Sequence, residues 1–550
     1  MAQWNKNQQD YLNQERTLHE VYLQADQYGN ILNEGATYRS AFGEQVSVPV
    51  TPVIQLDGLY GLLDKNFETF TGPSLVGSVD GSAGVTTSLM EVATGDGYGY
   101  GVLRSRRSVR YRPGQGAMAR FTAAFTGSVD GTTNLGVGIT GYTQRAGFFT
   151  QEQALQIGFD DVNGKFGILR QNGGKAQIET LTITTGASVA GIATVELPTA
   201  SGIATYSVPI ADTTADEAIT AAEISEWFQT NQSASWTVEH CDGVVNFLNT
   251  RVGTTAGVSS YIPGATGSIG SITTTQVGVD DTLDWTYQED WDDPLDGTGT
   301  SGIILDPTKL NVYQINFRWL GIGIMIFALE NPLNGDMYEF HRKKFTNLVN
   351  APHLDNPSLK IGYVAARILP DFGGFQNVRV TGGSMMGAIE GLVNPVTLPT
   401  SAARLESATF AQNALHHGLT IHNRLVFGGK INTREILIKE VSIVATPSTG
   451  QDQPCEVVLF YNFNGLPSPS VYKVINSTQS SAFYNDTTGT LTQGSNVPIY
   501  SFFITAPGNQ TIDLENLRIA IPPNNEITVA VKCTGSALDG LGVGLSFVED

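Results

Sequence analysis

The densest positive charge in the chain is the run Leu103-Arg-Ser-Arg-Arg-Ser-Val-Arg-Tyr-Arg112. Side chains alternate along an extended strand, so a strand here places Arg104, Arg106, Arg110 and Arg112 on one face. A planar guanidinium grips a carboxylate with two parallel hydrogen bonds, and the chemistry this row offers is recognition of an acidic surface. We read the four arginines as a subunit interface, with a solvated strand face and ion pairs inside the chain as the alternatives. The opposite charge is densest in Asp280-Asp-Thr-Leu-Asp-Trp-Thr-Tyr-Gln-Glu-Asp-Trp-Asp-Asp-Pro-Leu-Asp296. Such a run could supply the roughly six to eight oxygens that calcium takes, but the ordered ladder of an EF-hand loop is missing. It therefore reads as a solvated loop or as the arginines' partner, with calcium kept as an alternative and no other cofactor expected.

Three further groups could carry chemistry. His416-His-Gly-Leu-Thr-Ile-His422 is the one histidine cluster. On a strand it would face His416 and His422 one way and His417 the other, and no cysteine or carboxylate stands nearby at ligand spacing, so it reads as a loop near a linker. Tyr461, Phe463, Tyr472 and Tyr484 could stack on sugar faces, although aromatic rings serve cores just as readily. The glycines of Gly97-Tyr-Gly-Tyr-Gly101 lack GxxxxGK and a following helix, and so form a flexible approach to the arginine strand. No nucleophile elbow, HExxH helix or Rossmann fingerprint is present, so an enzyme is not expected. A pair of carboxylates for sugar hydrolysis could still be far apart in sequence, which leaves a polysaccharide depolymerase as a lesser reading.

The elements that must position these residues are strands. At 550 residues the chain exceeds one ordinary core, and two to four domains are expected. Charged residues make up only 15% while glycine reaches 61 positions, a balance that favours sheets and tight turns. A net charge of −21 argues against nucleic acid as a partner, because phosphate-binding surfaces are basic. The start, with no basic n-region and no apolar core, is not a signal peptide. The longest apolar run, Leu320–Leu329, is about half of what a bilayer requires and reads as a buried strand, so no membrane is expected. Of the three cysteines, Cys455 and Cys533 could form a bridge.

Residues 1–45 are polar, with Trp4, Tyr11, Leu18, Tyr22 and Leu23 spaced for a short amphipathic helix, and form an N-terminal arm. Residues 46–179 and 280–390 form a first antiparallel β-sandwich. Phe121, Ala123 and Phe125 share one strand face there, Asn163-Gly164 and Asn172-Gly173 give hairpin turns, and Gly-Ser-Val-Asp-Gly recurs at 77–81 and 127–131. Between the two halves, residues 180–279 form an inserted α+β module, whose helix opens on a capping box at Thr214-x-x-Glu217 and buries Ile219, Ala222, Trp227 and Phe228. Residues 391–404, with two prolines, form a linker. Residues 405–550 carry regularly spaced strands, as in a second sandwich of jelly-roll type. The fold class is mainly β: two antiparallel sandwich or jelly-roll domains, the first interrupted, with an extended arm.

Several stretches carry a family resemblance. Val109-Arg-Tyr-Arg-Pro-Gly-Gln-Gly-Ala-Met-Ala-Arg-Phe-Thr-Ala-Ala-Phe125, Gln144-Arg-Ala-Gly-Phe-Phe149, Gly164-Lys-Phe-Gly-Ile-Leu-Arg170, Leu295-Asp-Gly-Thr-Gly299, Leu305-Asp-Pro-Thr-Lys309 and Phe317-Arg-Trp-Leu-Gly-Ile-Gly323 together resemble a β-sandwich module of virion structural proteins in tailed phages and large DNA viruses. The opening, Gln3-Trp-Asn-Lys6 with Val21-Tyr-Leu-Gln-Ala-Asp-Gln-Tyr-Gly-Asn30, resembles structural proteins of marine cyanobacterial phages. The resemblance covers roughly residues 1–390 and brings no site residues with it. It implies a virion protein for capsid decoration, tail, baseplate or fibre, with other virion proteins and further copies of itself as partners. A host-glycan receptor on the particle is the alternative.

Overall fold

The computed structural model describes residues 50–550 apart from 64, 74–80, 96–98, 130–140, 201, 232–234, 368–375, 392–397 and 449–451, together with the short strands Leu23–Ala25 and Ile31–Asn33. Those two strands pair antiparallel, so the expected arm helix does not extend to Leu23, while Trp4, Tyr11, Leu18 and Tyr22 lie outside the described residues. The Gly-Ser-Val-Asp-Gly at 77–81 also falls mostly outside them.

The first sandwich sets a seven-stranded sheet against a nine-stranded one. Period-two alternation builds its core: along Ala117–Val129, the side chains of Ala117, Ala119, Phe121, Ala123 and Phe125 are buried while Arg120 and Thr122 turn away. Phe125 meets Phe159, Phe166 and Tyr313 edge-on, and Phe148 meets Phe317 the same way. Each such fully buried ring stabilises the sandwich by roughly 1.5–3 kcal/mol. The Asn163-Gly164 turn joins Ala154–Phe159 to Phe166–Asn172 in register, with Gly164 at φ +64°. In the apolar run after Phe317, only Met325–Glu330 is strand; Leu320 sits in the preceding turn with positive φ and is half exposed. Among the described residues no helix is long and apolar enough to cross a membrane.

The inserted module has a core of its own, built from Leu181, Val195, Leu197, Ile224, Phe228, Trp236 and Phe247 between a four-stranded sheet, a three-stranded sheet and the helix Glu217–Thr230. Its first strand, Ala176–Thr185, starts four residues earlier than the sequence pattern places it. The helix is capped by Asp216, not Thr214: the Asp216 carboxylate accepts from the backbone N–H groups of Ala218 and Ile219, while the Thr214 hydroxyl turns to Asp212. Asp is as good an N-cap as Thr, and being nearer the first helical residue it takes the position.

Eight strands frame the C-terminal domain: Thr400–Glu406, Leu415–Asn423, Ile436–Pro447, Gln453–Tyr461, Pro498–Ala506, Gly508–Asp513, Asn525–Cys533 and Leu538–Glu549. Counted in that order, one sheet runs first, eighth, third, sixth and the other second, seventh, fourth, fifth. This is the doubly wound strand order of a jelly roll. The first of these strands begins inside the segment expected to be linker, directly after Pro399. Cys455 and Cys533 stand opposite one another on the fourth and seventh strands and are joined as a disulfide, with Cα atoms 4.1 Å apart.

Candidate functional site

The arginine segment is not one strand. Gly99–Ser105 ends just after Arg104, and Val109 makes an isolated bridge to Leu359, so the four arginines do not form a single row. Arg104 Nε donates to Glu68 Oε2 at 2.8 Å and its guanidinium lies over the Phe70 ring, while Lys360 Nζ donates to Glu68 Oε1 at 2.6 Å. Burial works against ionised Glu68, but the Lys360 and Arg104 charges hold its carboxyl down at about 2. Burial pulls Lys360 down to about 8 against the attraction of Glu68.

Beyond Ser105 the chain runs along the C-terminal jelly roll. Arg106 Nη1 donates to Asn525 Oδ1 at 3.1 Å. Arg107 donates through Nε and Nη2 to Glu435 Oε2 at 3.2 and 3.0 Å, and the Ser108 N–H donates to Glu435 Oε1 at 3.1 Å. Arg112 pairs with the Asp550 side chain, and Arg110 approaches the same carboxylate at 3.5 Å. The Glu435 charge raises Arg107, whereas burial lowers Arg110 despite Asp550. Of the four arginines expected at a subunit interface, Arg104 makes its contacts within the first sandwich, while Arg106, Arg110 and Arg112 reach Asn525 and Asp550 and join that sandwich to the jelly roll. Arg107, on the face the alternation pattern set aside, makes the two-handed carboxylate contact. Only a loop lets Arg106 and Arg107 both reach the same domain, and nothing in the local sequence signals where the strand stops.

The acidic run does not meet these arginines. Asp284 takes Arg170 and Lys343, Asp292 faces His341, Glu289 takes Lys165, and Asp296 binds Thr298. Asp293, despite burial, is held at about 2 by the N–H groups of Ser301 and Leu295 and the Tyr338 hydroxyl. These five carboxylates each have their own partner, and among the described residues no three of His, Cys, Asp and Glu gather as a metal ligand set.

The histidine cluster sits on the strand Leu415–Asn423 rather than on a loop, with a register shift between His417 and Leu419. His416 Nε2 donates to the Ala411 carbonyl, and His417 Nδ1 donates to that of Thr487 while its Nε2 meets the Thr420 hydroxyl. His422 Nδ1 lies 3.6 Å from Glu526. None of the four aromatics is exposed: Phe463 is buried, and Tyr461, Tyr472 and Tyr484 are partly covered. Of the two readings of these rings, core packing describes Phe463, while Tyr461 and Tyr484 pack against the core with part of each ring open.

Two contacts that sequence reasoning missed join the inserted module to the jelly roll. Ala176, Ile178 and Leu248 pack with Leu425 and Val426 in an apolar cluster. Beside it, Glu239 accepts from the N–H groups of Leu425 and Val426, Glu226 accepts from the Ser470 N–H and the Ser468 hydroxyl, His240 Nε2 donates to the Ser470 carbonyl, and the Asp242 N–H donates to that of Tyr472. On the jelly roll's surface a shallow groove of about 400 Å³ is lined by Arg404, Leu405, Glu406, Lys473, Asp486 and Thr488. Arg404 is anchored on the carbonyls of His417 and Gly418, and Lys473 pairs with Asp486 at 2.8 Å.

The chain is thus a β protein of three cores, the last a jelly roll clasped by the other two. No protein-family model matches it, and no curated protein matches it. Among solved structures it is similar to a chain of the Sputnik virophage structure obtained by cryo-EM, with 7% identity over 89% of this chain and 87% of that one and a TM-score of 0.12. A likeness at that score carries no argument.

Proposed function

We propose that this chain is a structural subunit of a virus particle, of the tailed-phage kind, working in capsid decoration, tail, baseplate or fibre through contacts with other virion proteins and with further copies of itself. The observation that carries the reading is the open side of the jelly roll. Pro498–Ala506 and Gly508–Asp513 are the last strands of their sheets, each bonded on one side only. Monomeric proteins usually blunt such edges with charge, yet Pro498-Ile-Tyr-Ser-Phe-Phe-Ile-Thr-Ala506 has none, and Phe503 and Val497 stand 66% and 75% exposed. An uncharged, apolar, half-bonded edge suits addition of a neighbouring subunit. Jelly rolls serve both capsids and lectins, so the fold supports the reading by analogy only.

The test is Phe503→Asp in the full chain. A particle subunit should fold as before, judged by circular dichroism and melting, and enter particles several-fold less well by quantitative mass spectrometry. Equal incorporation removes the edge from the account, and purified particles without this polypeptide remove the reading altogether. A second reading, a receptor for host glycan, is favoured by the groove, whose charged pairs and hydroxyls offer fixed donors and acceptors to sugar hydroxyls. A glycan array probed with the intact chain and with Asp486→Ala tests it; no glycan bound by the intact chain ends it.

A further inference from the structure

The seam between the inserted module and the jelly roll has a composition that the particle reading does not require. It joins two rigid bodies through one small apolar cluster and a row of acceptors, and it buries an imidazole at its centre. His240 lies on the module strand Trp236–Cys241 and is only 5% exposed. Its ring packs against Tyr472 at 5.4 Å, and Tyr472 packs in turn against His422 at 5.2 Å. The neutral ring with hydrogen on Nε2 satisfies the Ser470 carbonyl at 2.6 Å.

We propose that this seam is an acid-sensitive latch with His240 as its sensor, closed while the imidazole is neutral and released when it gains a proton. None of the carboxylates around His240 forms an ion pair with its ring, whose hydrogen bond goes to the Ser470 carbonyl. From its own strand, Glu239 is committed to Leu425, Val426 and Asn246. From the helix, Glu226 is committed to Ser468 and Ser470. From the jelly roll, Glu526 takes the Tyr472 hydroxyl and is the neighbour of His422. Asp242, in the turn after the strand, contributes to the field at Lys473. Arg424, stacked over Phe483 at 4.4 Å, acts on the neighbouring Cys241, and the positive charge that opposes an imidazolium at His240 is that of His422. The buried Cys241 offers no counter-charge, since burial holds its thiol protonated. Burial, reinforced by His422 and only partly offset by the Ser470 carbonyl, brings His240 down to about 4 from an ordinary 6.5.

The direction of the effect follows from that depression. The docked state prefers neutral imidazole, so the latch is at full strength above pH 6.5 and weakens as the pH falls from there toward 4. At pH 5 the open population should exceed its value at pH 7 by about 20-fold. Opening need part only this seam, because the module stays joined to the first sandwich through two short crossings, one containing Gly173 at φ +81°, and through Glu152, which accepts from the Ala176 N–H and the Gln276 side chain.

Four backbone amides report on the seam directly: Asp242, Leu425, Val426 and Ser470 each donate across it. Hydrogen exchange of the full chain at pH 7 and pH 5, corrected for intrinsic exchange rates, should show their protection falling by about 20-fold while that of Ile436–Pro447 holds. His240→Gln keeps a donor for the Ser470 carbonyl but cannot become charged, and its seam should be equally protected at both pH values. Unchanged seam protection in the unmodified chain overturns the proposal, and so does acid loosening in His240→Gln equal to that of the unmodified chain. As a check that needs no variant, the His240 ring in histidine-labelled protein should titrate near 4 by NMR, and titration near 6.5 also overturns it.

Discussion

Replacing Glu68 by Gln should destabilise the first sandwich more than any surface substitution, because it strands two buried cations. Glu68 is 13% exposed, and its two oxygens separately hold Arg104 and Lys360, which is itself 13% exposed. Holding the carboxyl at about 2 instead of 4.5 corresponds to about 3 kcal/mol at neutral pH, and removing one partner of such a buried cluster typically costs about 3–5 kcal/mol. Lys360 opposes this gain, since its own depression to about 8 means that the fold disfavours its charge. The whole cluster is therefore worth less than the Glu68 contribution alone, while the single substitution keeps the full penalty. Urea unfolding at pH 7 should show a loss of about 3–5 kcal/mol for Glu68→Gln. The acid limb should change as well. In the unmodified chain the Glu68 contribution is complete above pH 4.5 and disappears as pH falls toward 2, and the variant should lack that slope. On the alkaline side, stability of the unmodified chain should rise between about pH 8 and 10.5 as Lys360 loses its proton, and in Glu68→Gln the rise should begin at lower pH. A variant within about 1 kcal/mol of the parent, with the same acid slope, would refute the claim that these cations are buried and depend on Glu68.

Two other perturbations test separate parts of the structure. Glu435→Gln deletes the carboxylate shared by Arg107 and the Ser108 amide, and should loosen the jelly roll from the first sandwich by about 2–3 kcal/mol, seen in calorimetry as one transition splitting into two. Cys533→Ala opens a bridge between residues 78 apart in sequence and should lower the jelly roll's stability by about 4 kcal/mol on the chain-entropy model, with a matching drop on adding reductant to the parent and none in the variant.

What the sequence discloses here is whatever period-two alternation controls. The strands around Phe121 and Ile436 are legible because buried and exposed positions alternate over enough residues to set a face, and those around Val457 and Val529 because they are short apolar, β-branched runs buried on both faces. The jelly-roll strand order is not, because it depends on which strands meet across the sandwich, and no local spacing encodes that. The arginine segment fails for a related reason. Alternation presumes a strand that continues, and the chain turns after Ser105, so Arg107 came to face Glu435, 328 residues away. The histidine segment shows the converse error: polar residues suggested a loop, but carbonyls of Ala411 and Thr487 satisfy the rings and allow His416 and His417 into a central strand. Capping at Asp216 rather than Thr214 is a smaller slip of the same type, a choice between two adequate side chains that only the geometry of the turn decides.

The two seams differ in what they can contribute. The one through Arg107, Arg110 and Arg112 is built from ion pairs, and desolvating such pairs cancels much of their attraction, so it fixes orientation more than it adds cohesion. Cohesion has to come from apolar contact, and between these bodies that is provided by Ile178 and Leu248 of the inserted module against Leu425 and Val426 of the jelly roll. The insertion thus accounts for more than an enlarged first domain. It supplies the apolar half of a clasp whose polar half the first sandwich already holds. Because that apolar half stands beside the buried His240, a single proton acts on the side of the clasp that supplies the cohesion, and the ion pairs on the other side keep the jelly roll oriented while it does so.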